Sequence, residues 1–277
     1  MTSNYFRFSI RQLLACTLAI AGASALVVSF GNHFLWASKH AIVQRYSALA
    51  KIDNSRVASD CELTNCRVNG LSFDVPTSMV GTARIIRSSS TDIWLAFEDA
   101  TRMMQVSLVP NDMRTALLNV PRELEDLSTP SLLEKSISTA SEDFSFLMRK
   151  DELRIHNWAI ETRRVLNLDS QHMDRYSLLY RDDIEAILIS ADPASIDSSR
   201  RLRSILFWES KDRQNHGSIW FANLRNSEAN WIDSVAKSVA MVSSDMVASD
   251  RLTPAELAEL DDAEILSQLN IADLQAK

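Results

Sequence analysis

Side chains able to do chemistry are few in this chain, and their spacing does not bring them together. Five histidines occur. His33 and His40 belong to the apolar N-terminal region, which leaves His156, His172 and His216 for the rest of the chain. No two of these three stand at helix or strand spacing from one another. A histidine general base would have to be assembled by the fold, together with an Asp and a Ser. Asp182, Asp183 and Glu185 make the densest acidic spot in the domain. Calcium takes about six or more oxygens, usually from a longer loop, so these carboxylates read as solvated turn charges. Cys61 and Cys66, in CELTNC, can close a small disulfide loop in an oxidising compartment. In a reducing compartment they would be two thiols, and no further Cys or Cys/His pair lies near enough to complete a zinc set.

The strong catalytic patterns (HExxH, GxSxG, Walker-type loop, GxGxxG, CxxC) do not occur. Only five glycines are present, too few for loops that bring backbone against phosphate. A net charge of -7 argues against nucleic acid as the main partner. No cofactor or metal is implied. The tryptophans Trp94, Trp158, Trp208, Trp220 and Trp231 fall in different segments and read as core; an exposed cluster would instead point to ligand stacking.

The elements that must position these groups begin with a membrane segment. Leu13 to Phe30, LLACTLAIAGASALVVSF, is apolar, and no charged residue occurs between Arg11 and Lys39. About 20 such residues span a hydrocarbon core about 30 Å thick, and Trp36 supplies an interfacial anchor. The alternative is a cleaved signal peptide with an Ala23-Ser24-Ala25 site, but the apolar run continues past those small residues. Cys16 precedes the apolar segment instead of following it, so it reads as a small hydrophobe and not as a lipidation site. Basic residues flank both ends. The length of the following domain favours an inner-membrane, single-pass topology with the C-terminal domain extracytoplasmic.

Beyond the anchor, Ile42, Tyr46 and Leu49 recur at helical spacing as a stalk, and Asp53 to Gly70 reads as a polar linker. Strand patterns follow at Leu71 to Pro76, Ile93 to Phe97 and Met103 to Val109, with Glu98 to Thr101 as a hairpin loop. Thr129-Pro130 opens a helix with Thr129 as N-cap, carrying Leu133, Ile137, Ala140, Phe144 and Leu147 on one face. Further strands are expected at Ala159 to Leu168, Arg175 to Tyr180, Ile184 to Ser190, Leu202 to Trp208 and Ser218 to Leu224. A last helix is expected over Glu228 to Met241. From Arg251 to Lys277 the chain is acidic, and Thr253-Pro254-Ala255-Glu256 is a capping-box start.

The string Phe8-Ser9-Ile10-Arg11-Gln12-Leu13-Leu14 resembles the N-terminus of bacterial single-anchor envelope proteins of uncharacterised function, whose ectodomains are unrelated. The layout from Leu71 to Val242, with Ser72-Phe73-Asp74-Val75-Pro76 as its first strand, resembles a PsbP-like sandwich. That resemblance implies a binding or assembly-support module more than an enzyme. The expected fold is α+β, an N-terminal transmembrane helix followed by a mainly antiparallel sheet domain with packed helices. The expected divisions are a cytoplasmic N-terminus (1–12), an anchor (13–36), a stalk and linker with the Cys pair (37–70), a globular domain (71–245) and an acidic amphipathic helical tail (246–277). The expected partners are the membrane, through the N-terminal helix, and a protein, through the acidic tail. The expected function is an extracytoplasmic interaction or binding domain. The alternative is an anchored hydrolase with a His/Asp/Ser site assembled by the fold.

Overall fold

The computed structural model describes residues 10–41, 48–52, 61–89, 92–109, 117, 119–142, 149–168, 173–191, 202–223, 230–242, 253–267 and 270–271. The chain divides into two units, Met1–Arg45 with Asp143–Lys150, and Tyr46–Glu142 with Asp151–Lys277.

In the first unit, α1 (Ile10–Ala41) is one continuous helix of 32 residues. Its described side chains are residues 14–28, 30 and 31, nearly all exposed. Among the described residues no helix is long and apolar enough to cross a membrane. Residues 13–36 lie within this helix, but their assignment as a membrane span is not supported by the described residues. The stalk positions Ile42 and Tyr46 lie outside the described residues.

The second unit is α+β, as its hairpin-rich sequence implies. Its strands are β1 (Ala50–Lys51), β2 (Leu63–Val68), β3 (Leu71–Pro76), β4 (Arg84–Ser89), β5 (Asp92–Glu98), β6 (Arg102–Ser107), β7 (Arg175–Tyr180), β8 (Ile184–Ser190), β9 (Leu202–Ser210), β10 (His216–Asn223), β11 (Ala240–Met241) and β12 (Asn270–Ile271). Its helices are α2 (Thr77–Val80), α3 (Thr129–Ala140), α4 (Lys150–Leu166), α5 (Asn230–Ser238), α6 (Pro254–Glu259) and α7 (Asp262–Ser267). A large sheet runs β1-β7-β8-β9-β10-β6-β5-β4, and a smaller one runs β11-β3-β2-β12. All pairings are antiparallel except β1 with β7.

Alternation explains the core. One face of the large sheet carries Ile93, Leu95, Phe97, Met104, Val106, Leu188, Leu206, Ile219 and Phe221. These pack with Cys66, Phe73 and Val75 of the small sheet and with Trp231, Ile232 and Val235 of α5. Ring pairs Phe73–Phe97 and Phe221–Trp231 cross this layer at 6.2 and 5.6 Å, both edge-on. On the opposite face, α3 lies over β8 and β9.

Four sequence expectations change. The linker 37–70 is partly domain, because β1 and β2 join the sheets. Asn69 (φ 46°) and Gly70 (φ 78°) form the tight turn that joins β2 to β3, and an Asn-Gly pair is itself a hairpin signal. Ala159 to Leu168 is not a strand but the end of α4. Leu153, His156, Ala159, Ile160 and Arg163 recur at three- and four-residue spacing and all are buried, which a strand cannot achieve. Acidic Asp151 and Glu152 at its start and basic Arg163 and Arg164 at its end suit the helix dipole. The N-cap of α3 is Ser128, whose hydroxyl accepts from Ser131 N–H at 3.2 Å, one residue before the expected Thr129.

The tail is the fourth. The Thr253/Glu256 capping box forms as expected, and Asp261 and Glu264 make a second reciprocal pair at the start of α7. Yet Leu257 and Ile265 are each 1% exposed and belong to the main core. Arg87 of β4 holds this segment through Asp262 (2.8 Å) and the carbonyls of Leu260 and Ala258, and β12 adds to β2. The described part of 246–277 is a layer of the domain, so Leu257 and Ile265 are not available to a partner groove.

Candidate functional site: an open sheet face

The candidate chemical groups scatter. His156, on α4, is buried, with Nε2 3.3 Å from the Glu142 carbonyl oxygen. His172 lies outside the described residues. His216 opens β10 beside a cavity of about 40 Å³ that Ser107, Trp208 and Met241 also line. Among the described residues neither His216 Nε2 nor the Trp208 indole N–H has a hydrogen-bond partner. Organic ligands need about 300 Å³ or more, so a substrate does not fit against His216 there. Gly217 lets Trp208 lie close, since a Cβ at that position would stand 3.0 Å from the indole ring.

The acidic spot is divided between two directions. Asp182 is exposed at the β7–β8 turn. Asp183 accepts the Met241 N–H of β11, and Glu185 accepts the Ser131 hydroxyl of α3. Buried Glu209 takes the Thr129 N–H, so α3 begins against two carboxylates, as its dipole favours. Among the described residues no group of three or more His, Cys, Asp and Glu is placed to hold a metal.

No disulfide joins Cys61 to Cys66, and both are thiols. Thr77 N–H donates to the Glu62 carbonyl at 3.0 Å, so extended pairing of this strand reaches back to Glu62. Four extended residues from Glu62 to Cys66 span about 13 Å. One more residue, about 3.8 Å, cannot return Cys61 to within the roughly 7 Å that a disulfide allows between Cα atoms. The expected bond is incompatible with the strand. Cys66 is fully buried opposite Phe73; burial, with Asp74 nearby, pushes its thiol up to about 12. Cys61 instead meets Arg102, with Sγ 2.9 Å from Nη1.

Arg102 belongs to a compact network at the β5–β6 turn. Asp99 accepts from the backbone N–H groups of Thr101 and Arg102, the Thr101 and Ser78 hydroxyls, and the Arg102 guanidinium, all between 2.7 and 3.0 Å. Burial opposes ionisation of Asp99, but these donors outweigh it and hold the carboxyl well below the ordinary range.

The feature that sequence reading missed is on the large sheet. Register places Ile86, Trp94, Ala96, Met103, Gln105 and Trp220 on one face of β4, β5, β6 and β10. This is the side that α3 covers over β8 and β9. Here Trp94 and Trp220 meet edge-to-face at 6.3 Å and 88°. Trp94 donates its indole N–H to Asp92, and Trp220 stays 36% exposed. Ile86, Met103 and Gln105 are half-buried around them, and the Arg84–Glu98 ion pair at 2.7 Å edges the patch. The two tryptophans lie 126 positions apart in sequence (220 − 94), so only the β10–β6–β5 register brings them together. No known protein family, curated protein or solved structure matches this chain.

Proposed function

We propose that this is a membrane-tethered protein whose α+β domain acts by binding a protein partner through the open face of β4, β5, β6 and β10, on the extracytoplasmic side of the inner membrane. The tether rests on the sequence: the apolar run Leu13 to Phe30 within an uncharged stretch from Arg11 to Lys39. The observation that carries the binding role is the Trp94–Trp220 pair, with Trp220 exposed and Trp94 half-buried, and half-buried Ile86 and Met103 on the same face. Tryptophan and methionine are enriched in the centres of protein interfaces, where a charged rim excludes water. The partner surface that fits is apolar and carries one aliphatic or aromatic side chain able to seat against the paired indoles. The exposed carboxylates Glu256, Glu259, Asp261, Asp262 and Glu264 form a second, acidic contact surface in this reading.

A photoreactive p-benzoylphenylalanine at position 220 tests it in the native membrane. A discrete adduct in the membrane fraction, abolished by Met103→Glu while the domain stays folded, is the expected result. Adducts that survive Met103→Glu, or none at all, would remove the face from the function.

A further inference from the structure

We infer that α6, α7 and β12 form a releasable plug, seated in a slot that also takes an acidic amphipathic segment of a partner protein. The slot lies along β4 and the edge of β2 away from β3, where α7 and β12 rest. Its floor is the main core, which receives Leu257 and Ile265, with Leu260 and Leu266 packed beside them. Arg87 of β4 is its polar anchor. The guanidinium donates to the carbonyls of Ala258 and Leu260 and to the Asp262 carboxylate. A helix end leaves such carbonyls without intrahelical partners. Any sequence supplies them, so only the third contact asks for an acid.

Charge sets the class of segment. Residues 253–267 carry Glu256, Glu259, Asp261, Asp262 and Glu264 and no basic residue. Arg87 and Arg67 stand on the strands that receive them, Arg67 directly opposite Asn270. The seated segment has few ties. Helices α6 and α7 are six residues long each, and helices below about 12–15 residues are marginal by themselves, so their order comes from docking. Two residue pairs join β12 to β2, whereas β9 and β10 are paired along eight residues. Segments tied in this way open locally while the rest of a domain stays folded. Opening uncovers an apolar slot with Arg87 already placed. A partner segment fills it when an acid follows a helix end and apolar residues recur at the spacing of Leu257 and Ile265.

Hydrogen–deuterium exchange of the full-length chain in detergent tests the plug. Amides of α6 and α7 should exchange about tenfold or more faster than those of β9 and β10. Leu257→Ala should speed them by about thirtyfold or more while leaving Arg87 in place. A fluorescein-labelled peptide of residues 253–271 should then bind that variant saturably, and the same peptide carrying Leu257→Glu should not. Asp262→Asn, at an exposed position, should speed exchange about threefold and admit the peptide in the same way, which decides the matter if Leu257→Ala fails to fold. Exchange of α6 and α7 in step with β9 and β10, or a peptide that binds neither variant, would overturn the slot. Neither readout depends on the sheet-face crosslink or on the tether.

Discussion

At the scale of single residues, Asp99 shows how a short turn acquires stability that charge counting would not reveal. Its carboxylate ties together the β5–β6 turn, Ser78 of α2 and Arg102. An unfolded Asp titrates near about 3.9, and the native carboxyl titrates lower. Its contribution is therefore complete above the unfolded value and is lost as pH falls toward the native one. Asp99→Asn should cost about 2 kcal/mol at neutral pH and flatten the decline of stability below about pH 4. Urea unfolding of both proteins at pH 7 and pH 3 measures this; parallel pH profiles would show that Asp99 is not the titrating group. The same turn was legible as a hairpin from Glu98-Asp99-Ala100-Thr101, because turn chemistry is local. Its engagement with Cys61 was not, since Arg102 and Cys61 are 41 positions apart.

At the scale of elements, strands with clean alternation were readable in place: β7 and β8 fall at the expected residues, on either side of the Arg181-Asp182-Asp183 turn. Elements misread were those where two periodicities overlap. In α4 the sequence Trp158-Ala159-Ile160 looks like an apolar strand, and only its continuation through Leu153, His156 and Arg163 restores the helical period. The tail was misread for a different reason. Its acidic outer residues suggested solvation, while its few apolar residues are what dock. Leu257→Ala should cost about 2–4 kcal/mol of domain stability, whereas Glu259→Ala, on the exposed side of the same helix, should change it by less than about 0.5 kcal/mol. Denaturant midpoints decide this; equal, negligible effects would return the tail to the status of a free docking peptide.

At the scale of the whole molecule, the two units make separate predictions. The second unit contains both sheets and their core, so a fragment starting at Tyr46 should fold by itself and remain in the soluble fraction. The full chain should sediment with membranes, resist alkaline carbonate and dissolve only in detergent. A full chain recovered in the soluble fraction would sink the tether, and a fragment that still sediments would place membrane affinity in the domain itself.

Composition and local pattern by themselves determined the α+β class, the hairpins and the capping box of the tail, because each depends on residues a few positions apart. Tertiary structure alone decided which surfaces are free. It drew Cys61 away from Cys66 by extending the strand between them, sank Leu257 and Ile265 into the core, and set Trp94 beside Trp220. Those outcomes depend on strand register and layer packing between distant segments, where the physical constraint is three-dimensional contact and not sequence spacing.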